Sequence, residues 1–241
     1  MPTFEDGEVS LYYEEFGSGY PVLLFAPGSL NSSIEWWRNK GPAPFDPTEV
    51  FAADFRLIAM DQRNAGQSRA PIRPTDGWHS YAADHIALMD HLGIDRAHVM
   101  GACIGASFCP RLMQDVPERI TAGVLQQPIG LEQGTSRGGD ATLERWKDSL
   151  PAGRRPSDEV AAAFAHNLYD PGFVYSVSRD FVRGCHKPML VLPGNDRAHP
   201  EAIAREIAQL APRAEVLDEW RTASPAVIDR VRQFLKDHAP R

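Results

Sequence analysis

The sequence predicts an α/β fold in which a mostly parallel sheet is covered by helices on both faces. Three observations predict it: an antiparallel start, a series of short apolar runs without alternation, and helical stretches between those runs. The start is Thr3-Phe4-Glu5-Asp6-Gly7-Glu8-Val9, where Asp-Gly between short extended runs reads as a hairpin leading into Val9 to Phe16. After a Gly-Ser-Gly turn, apolar runs recur at Val22 to Phe25, Leu57 to Met60, Ala97 to Met100, Val124-Leu125 and Met189 to Leu192, and Ala214-Glu215-Val216-Leu217 reads as the last strand. Runs of that kind suit strands buried on both faces. Tyr81 to Leu92 is the clearest helix, with Ala82, His85, Ile86, Met89 and Leu92 at helical spacing before Gly93; Pro200 to Leu210 and Pro225 to Leu235 read the same way. The interval from about 128 to 187 carries the Gly138-Gly139 and Pro151-to-Pro156 breakers and no convincing strand, so it reads as a small, mostly helical cap-like insertion.

Bulk properties bound the function. With 241 residues, 43% of them hydrophobic and 24% charged, residues 1–241 are expected to form one domain. The net charge of −7 and the scatter of the 25 basic residues leave no footprint for a phosphate backbone, so nucleic acid is not an expected partner. Acidic residues Glu5, Asp6, Glu8, Glu14 and Glu15 exclude a secretory leader over the first residues, and no apolar run approaches the roughly 18 residues of a membrane span. Three cysteines without metal-type spacing predict free thiols in a reducing compartment, which fits the cytoplasm, and no metal or other cofactor is expected.

The strongest local signal is His98-Val99-Met100-Gly101-Ala102-Cys103-Ile104-Gly105-Ala106-Ser107, a strand running into Gly-x-Cys-x-Gly and then a small-residue helix start. A turn that tight requires small residues two before and two after its central residue, and it presents Cys103 above the sheet at the positive end of a helix. That placement predicts a lowered thiol pKa. Cys109 lies six positions on and faces another side of the helix, and Cys185 has no acid–base neighbour in sequence; both read as structural.

This segment resembles the nucleophile elbow of α/β-hydrolases, with Cys where Ser is usual. Asp61-Gln62-Arg63-Asn64-Ala65-Gly66-Gln67-Ser68 is similar to the D-x-R-G-x-G-x-S turn of the same family, with Asn64 at the first glycine position. Phe25-Ala26-Pro27-Gly28-Ser29 stands where many members carry His-Gly-x, Pro27 replacing the histidine. With Tyr81-Ala82-Ala83-Asp84 and Leu92-Gly93-Ile94, the matches run in the family's order over residues 9–130. The resemblance implies an oxyanion hole made by the backbone N–H groups of Ser29 and Ile104, with Cys103 as nucleophile. Trp36 and Trp37, close behind the oxyanion loop, are candidates to wall a substrate pocket.

The family pattern breaks near the end. Members place an acid after a late strand and a histidine after the last one. Here Asp218-Glu219-Trp220-Arg221-Thr222-Ala223-Ser224 follows the last strand and contains no histidine. The preceding loop, Leu192-Pro193-Gly194-Asn195-Asp196-Arg197-Ala198-His199-Pro200, contains both an acid and a histidine. His199 is therefore the expected base, oriented by Asp196 or by the Asp218/Glu219 pair, with His79 a second candidate lining the site. The expected activity is hydrolysis of an activated acyl compound, a lactone, enol or aryl ester, or thioester, through a thioacyl-enzyme on Cys103, with a small molecule as partner. Dienelactone hydrolases resemble this chain in using Cys within Gly-x-Cys-x-Gly, but they keep a histidine after the last strand. Alternatives from other classes are a lyase or cofactor-free enzyme that is never acylated and a ligand-binding protein without activity.

Overall fold

The computed structural model describes residues 2–39, 44–132, 141–169 and 172–240. Eight strands form one sheet: β1 Thr3–Asp6, β2 Val9–Phe16, β3 Tyr20–Phe25, β4 Phe55–Met60, β5 Ala97–Ala102, β6 Ile120–Gln126, β7 Met189–Leu192 and β8 Ala214–Val216. Their order is β1-β2-β4-β3-β5-β6-β7-β8; β1 and β2 run antiparallel to their neighbours and all other pairs are parallel. The hairpin forms as expected, with Asp6 paired to Val9. Strand β6 begins four residues ahead of the expected Val124-Leu125: Thr121 and Gly123 interrupt the apolar run, while Ile120 and Gly123 pair with Ala97 and Val99 of β5 across a register shift.

The helices are α1 Glu35–Arg38, α2 Pro47–Val50, α3 Trp78–His91, α4 Gly105–Asp115, α5 Ala141–Ser149, α6 Asp158–Tyr169, α7 Arg179–Gly184, α8 Glu201–Leu210 and α9 Pro225–His238. Helix α3 starts three residues before the expected Tyr81, since Gly77 N–H is capped by Ser80 Oγ at 3.3 Å and Ser80 in turn donates to Asp76. Alternate strand residues supply two cores. Leu23, Phe25, Ile58, Val99, Leu125 and Val191 pack with α3, α4 and α8. Leu24, Ala59, Met100, Val124, Leu190 and Leu192 pack with Val227, Val231 and Phe234 of α9. Burial of both faces is the reason the strands read as continuous apolar runs. Between β6 and β7 the described residues hold helices α5 to α7 and no strand; Gly138 and Gly139 lie outside the described residues. Among the described residues no helix is long and apolar enough to cross a membrane.

The turn after β4 shows why asparagine can stand where a glycine is usual. Asn64 has φ of 60°, a left-handed conformation that asparagine tolerates best after glycine, and its Oδ1 accepts from Ala70 N–H at 3.0 Å. Arg63 is held in the same turn by a bidentate buried pair with Asp84 of α3 at 2.7 and 2.8 Å.

Two buried histidines set an acid limit on stability. His85 Nε2 bonds Gln62 Oε1 at 2.7 Å, and His98 bonds Leu235 O at 2.9 Å and Thr121 Oγ1 at 2.8 Å. Burial holds both imidazoles neutral, pushing His85 down to about 3 and His98 down to about 4. In the unfolded chain they protonate near pH 6.5. Stability from this source is therefore complete above about pH 6.5 and is lost as pH falls through the folded values. The unfolding free energy from urea titrations should drop steadily between pH 6.5 and 4, at about 1.4 kcal/mol per pH unit for each histidine, and the midpoint with it. Equal midpoints at pH 7 and pH 5 would show that neither ring is buried uncharged.

Candidate active site

The elbow forms as the small-residue spacing predicts. Cys103 has φ of 57°, between the end of β5 and α4. A Cβ on Gly101 would sit 2.1 Å from Gly105 O, and one on Gly105 would sit 2.0 Å from Phe25 O. The two glycines thus answer different contacts: one lets the turn close on itself, the other lets α4 approach β3. Cys103 N–H donates to Gln126 O at 3.1 Å, which ties the elbow to the end of β6.

The backbone N–H groups of Ile104, Gly28 and Ser29 lie near enough to the Cys103 thiol to favour its ionised form. Ile104 and Ser29 are the two expected donors, and Gly28 is a third. Gly28 and Ser29 reach this position through positive φ values of 117° and 55°. None of the three N–H groups donates to a backbone carbonyl among the described residues. Ser29 Oγ lies 3.3 Å from the hydroxyl of Tyr169, so the insertion's α6 touches the loop after β3 through a side chain.

The expected lowering of the thiol pKa is corrected. Burial pushes the Cys103 thiol up to about 11, outweighing the three N–H groups, and the charge of Asp196 adds to the rise. Cys103 is nonetheless the one partly exposed thiol of the three; Cys109 and Cys185 are buried and their thiols are also raised by burial.

The loop after β7 brings the acid and histidine together. His199 Nδ1 lies 3.0 Å from both carboxylate oxygens of Asp196, whose Oδ1 also accepts from the N–H groups of Ala198 at 2.8 Å and His199 at 2.9 Å. Burial alone would raise the Asp196 carboxyl, but these bonds hold it below the usual carboxylate range. The fold-back depends on Gly194, where a Cβ would lie 2.0 Å from His199 O and 2.5 Å from its Cβ. An ionised carboxylate at Nδ1 fixes the proton there and leaves Nε2 as the basic atom. That Nε2 is buried and has no hydrogen-bond partner among the described residues. The loop and the elbow are linked across β6, since Gln127 N–H donates to Leu192 O at 2.7 Å.

The remaining candidates fall elsewhere. Glu219 is exposed with no hydrogen bond or ion pair to His199 among the described residues, Asp218 pairs with Arg205 at 2.5 Å, and the acid that bonds the imidazole is Asp196. His79 is exposed, 3.3 Å from Ser80 Oγ, in a groove with Pro74, Arg111, His166 and Asn167 that does not include Cys103. Trp37 is fully buried against Ala26 and Ala102, so it forms no open pocket wall; Trp36, one position back, is the exposed ring and lies against Gly28. Sequence reasoning missed Gly28, Tyr169 and the polar side chains at Gln126, Gln127 and Arg221. Only Gly28 had a signal, its place before Ser29 in a strand-end turn.

Residues 21–155, more than half of the chain, match the family model described as alpha/beta hydrolase fold. A curated relative, rhodomycin D methylesterase DnrP from Streptomyces peucetius, is 34% identical over 127 residues, covering 50% of this chain and 40% of the relative. The chain spans less than half the length of the curated relatives it matches. Among solved structures, a meta-cleavage product hydrolase from Pseudomonas fluorescens superposes with a TM-score of 0.74 at 18% identity over 99% of this chain and 98% of that one. An enol-lactonase from Burkholderia xenovorans gives 0.70 at 20% identity, over 98% of this chain and 100% of that one. At these identities the likeness concerns the fold.

Proposed function

The chain belongs to the α/β hydrolase fold family, and from that premise we propose that it hydrolyses an activated acyl compound through a thioacyl-enzyme on Cys103. The observation that carries this reading is His199, whose Nδ1 is held by Asp196 while its buried Nε2 has no partner among the described residues. With the thiol raised to about 11, Cys103 rests protonated at neutral pH and needs a base at the moment of attack. Nε2 takes the Sγ proton as Sγ bonds the carbonyl carbon, and the oxyanion is held by the N–H groups of Ser29 and Ile104. Collapse breaks the bond to the leaving group, which departs with the proton from Nε2. Water then adds to the thioacyl carbon, giving its proton to Nε2, and the second collapse returns that proton to Sγ with release of the acid.

A thiolate is itself a good leaving group, so lactones, enol or aryl esters and thioesters suit this site better than amides. The relatives' names, a methylesterase and an enol-lactonase among them, agree with ester chemistry. The raised thiol favours one rival, a protein whose elbow cysteine is never acylated. Intact-mass analysis after rapid quench with an aryl ester separates the two. A single acyl adduct mapping to Cys103, formed and lost at the rate of turnover, is the expected result. Turnover without any adduct on Cys103, or an adduct confined to Cys109 or Cys185, would remove the thioacyl mechanism.

A further inference from the structure

Beside the elbow, on the α9 face of the sheet, lies a cluster of buried polar side chains without partners. The register pairs Ala102 with Gln126 and Gln126 with Leu192, so these three strand-end residues share one face. Leu192 and Trp220 belong to the core against α9, and Trp37 packs on Ala102. In this corner Trp37 Nε1, both amide atoms of Gln126, Gln127 Nε2 and Arg221 Nε are buried with no hydrogen-bond partner among the described residues. Arg221 is held in place rather than neutralised. Its Nη2 donates to Gln127 Oε1 at 2.9 Å and its guanidinium lies 4.8 Å over the Trp220 ring, which is anchored by a 2.8 Å bond to Pro193 O. Arg205, Arg230 and Arg232 nearby all have carboxylate partners; Arg221 has none among the described residues.

Unmet buried donors are costly, and here they outnumber unmet acceptors four to one around a fixed cation. A planar anion with two acceptor oxygens answers both the count and the guanidinium's fork. Arg221 also follows β8, in the loop where the family resemblance expects the histidine that this chain lacks. We propose that Arg221, with Gln126 and Gln127, forms a carboxylate subsite, and that the acyl substrate carries a free carboxylate besides its scissile carbonyl. The identity of the substrate rests on the hydrolase reading above; the subsite itself does not.

The test pairs turnover with direct binding. Aryl half-esters of succinic, glutaric and adipic acids are compared with their methyl-capped counterparts, corrected for spontaneous hydrolysis, and glutarate binding is measured by calorimetry. At the best chain length kcat/KM should favour the free carboxylate by about 10- to 100-fold, as expected for charge-assisted bonds to a half-buried guanidinium. That ratio should collapse toward one in Arg221→Gln, and Arg221→Lys should keep part of it. Should Arg221→Gln fail to fold, glutarate against dimethyl glutarate on the wild type decides. Saturable glutarate binding with neither turnover nor an acyl-enzyme would leave the subsite standing and remove the hydrolase reading. Equal turnover of both ester series without glutarate binding overturns the subsite, and inorganic phosphate binding as tightly as glutarate overturns its assignment to a carboxylate.

Discussion

His199→Ala should lower kcat/KM for an aryl ester by about 10² to 10⁴, the range for loss of a general acid–base group. The loss should depend on both pH and leaving group. In the variant, attack relies on whatever thiolate Cys103 forms unaided, and burial has pushed that thiol up to about 11. Below that value each pH unit raises the thiolate fraction tenfold, so log kcat/KM should climb with a slope near one from pH 7 to 10. The wild type, with a base in place, should be nearly flat over the upper part of that range. Thioesters, whose leaving group needs little protonation, should suffer less than alkyl esters. The measurement is a pH–rate profile of both proteins on one aryl ester and one thioester. Equal activity of variant and wild type from pH 6 to 9 would show that His199 is not the base, and His79, exposed in its own groove, would then need the same experiment.

What the sequence made legible was whatever local sterics dictate. The elbow could be read because a Gly-x-Cys-x-Gly turn leaves two positions no room for a Cβ, and the contacts at Gly101 and Gly105 are under 2.2 Å. The strands could be read because burial on both faces removes alternation. The loop carrying Asp196 and His199 was visible as composition, but the choice among Asp196, Asp218 and Glu219 was not. It depends on the loop folding back over Gly194, a contact between backbone atoms five residues apart that no side-chain pattern announces. Trp36 and Trp37 differ by about 100° around a helical turn, enough to send one ring outward and the other into the core. The sign of the thiol shift went the other way from the helix-terminus expectation, because burial depends on the whole fold while a helix terminus is written locally. Arg221 and Gln127 meet from positions 94 residues apart, a contact that neither local segment predicts.

Removing one oxyanion donor should cost about 10² to 10³ in kcat, roughly 3 to 4 kcal/mol, and the structure decides how that must be done. Proline at Ser29 would delete the N–H but also demand a negative φ where the chain has 55°, so it would wreck the loop as well as the donor. The clean change is at Ile104, replacing the amide by a backbone ester through incorporation of the matching α-hydroxy acid. Side chain and φ of −59° are kept, and the N–H removed there donates to no backbone carbonyl among the described residues; the one cost to the helix is that the Cys103 carbonyl, which accepts from Ala106 N–H at 3.1 Å, becomes a weaker ester acceptor. Ser29→Ala should stay within a few-fold of wild type, since its N–H remains and only the 3.3 Å contact to the Tyr169 hydroxyl is lost. Both are read as kcat on the same aryl ester, with unfolding midpoints confirming that the proteins are intact. An ester at Ile104 within threefold of wild type would mean that this N–H does not hold the developing oxyanion. Abolition of turnover by Ser29→Ala in a folded protein would move the role from the backbone of Ser29 to its hydroxyl and to Tyr169 beyond it.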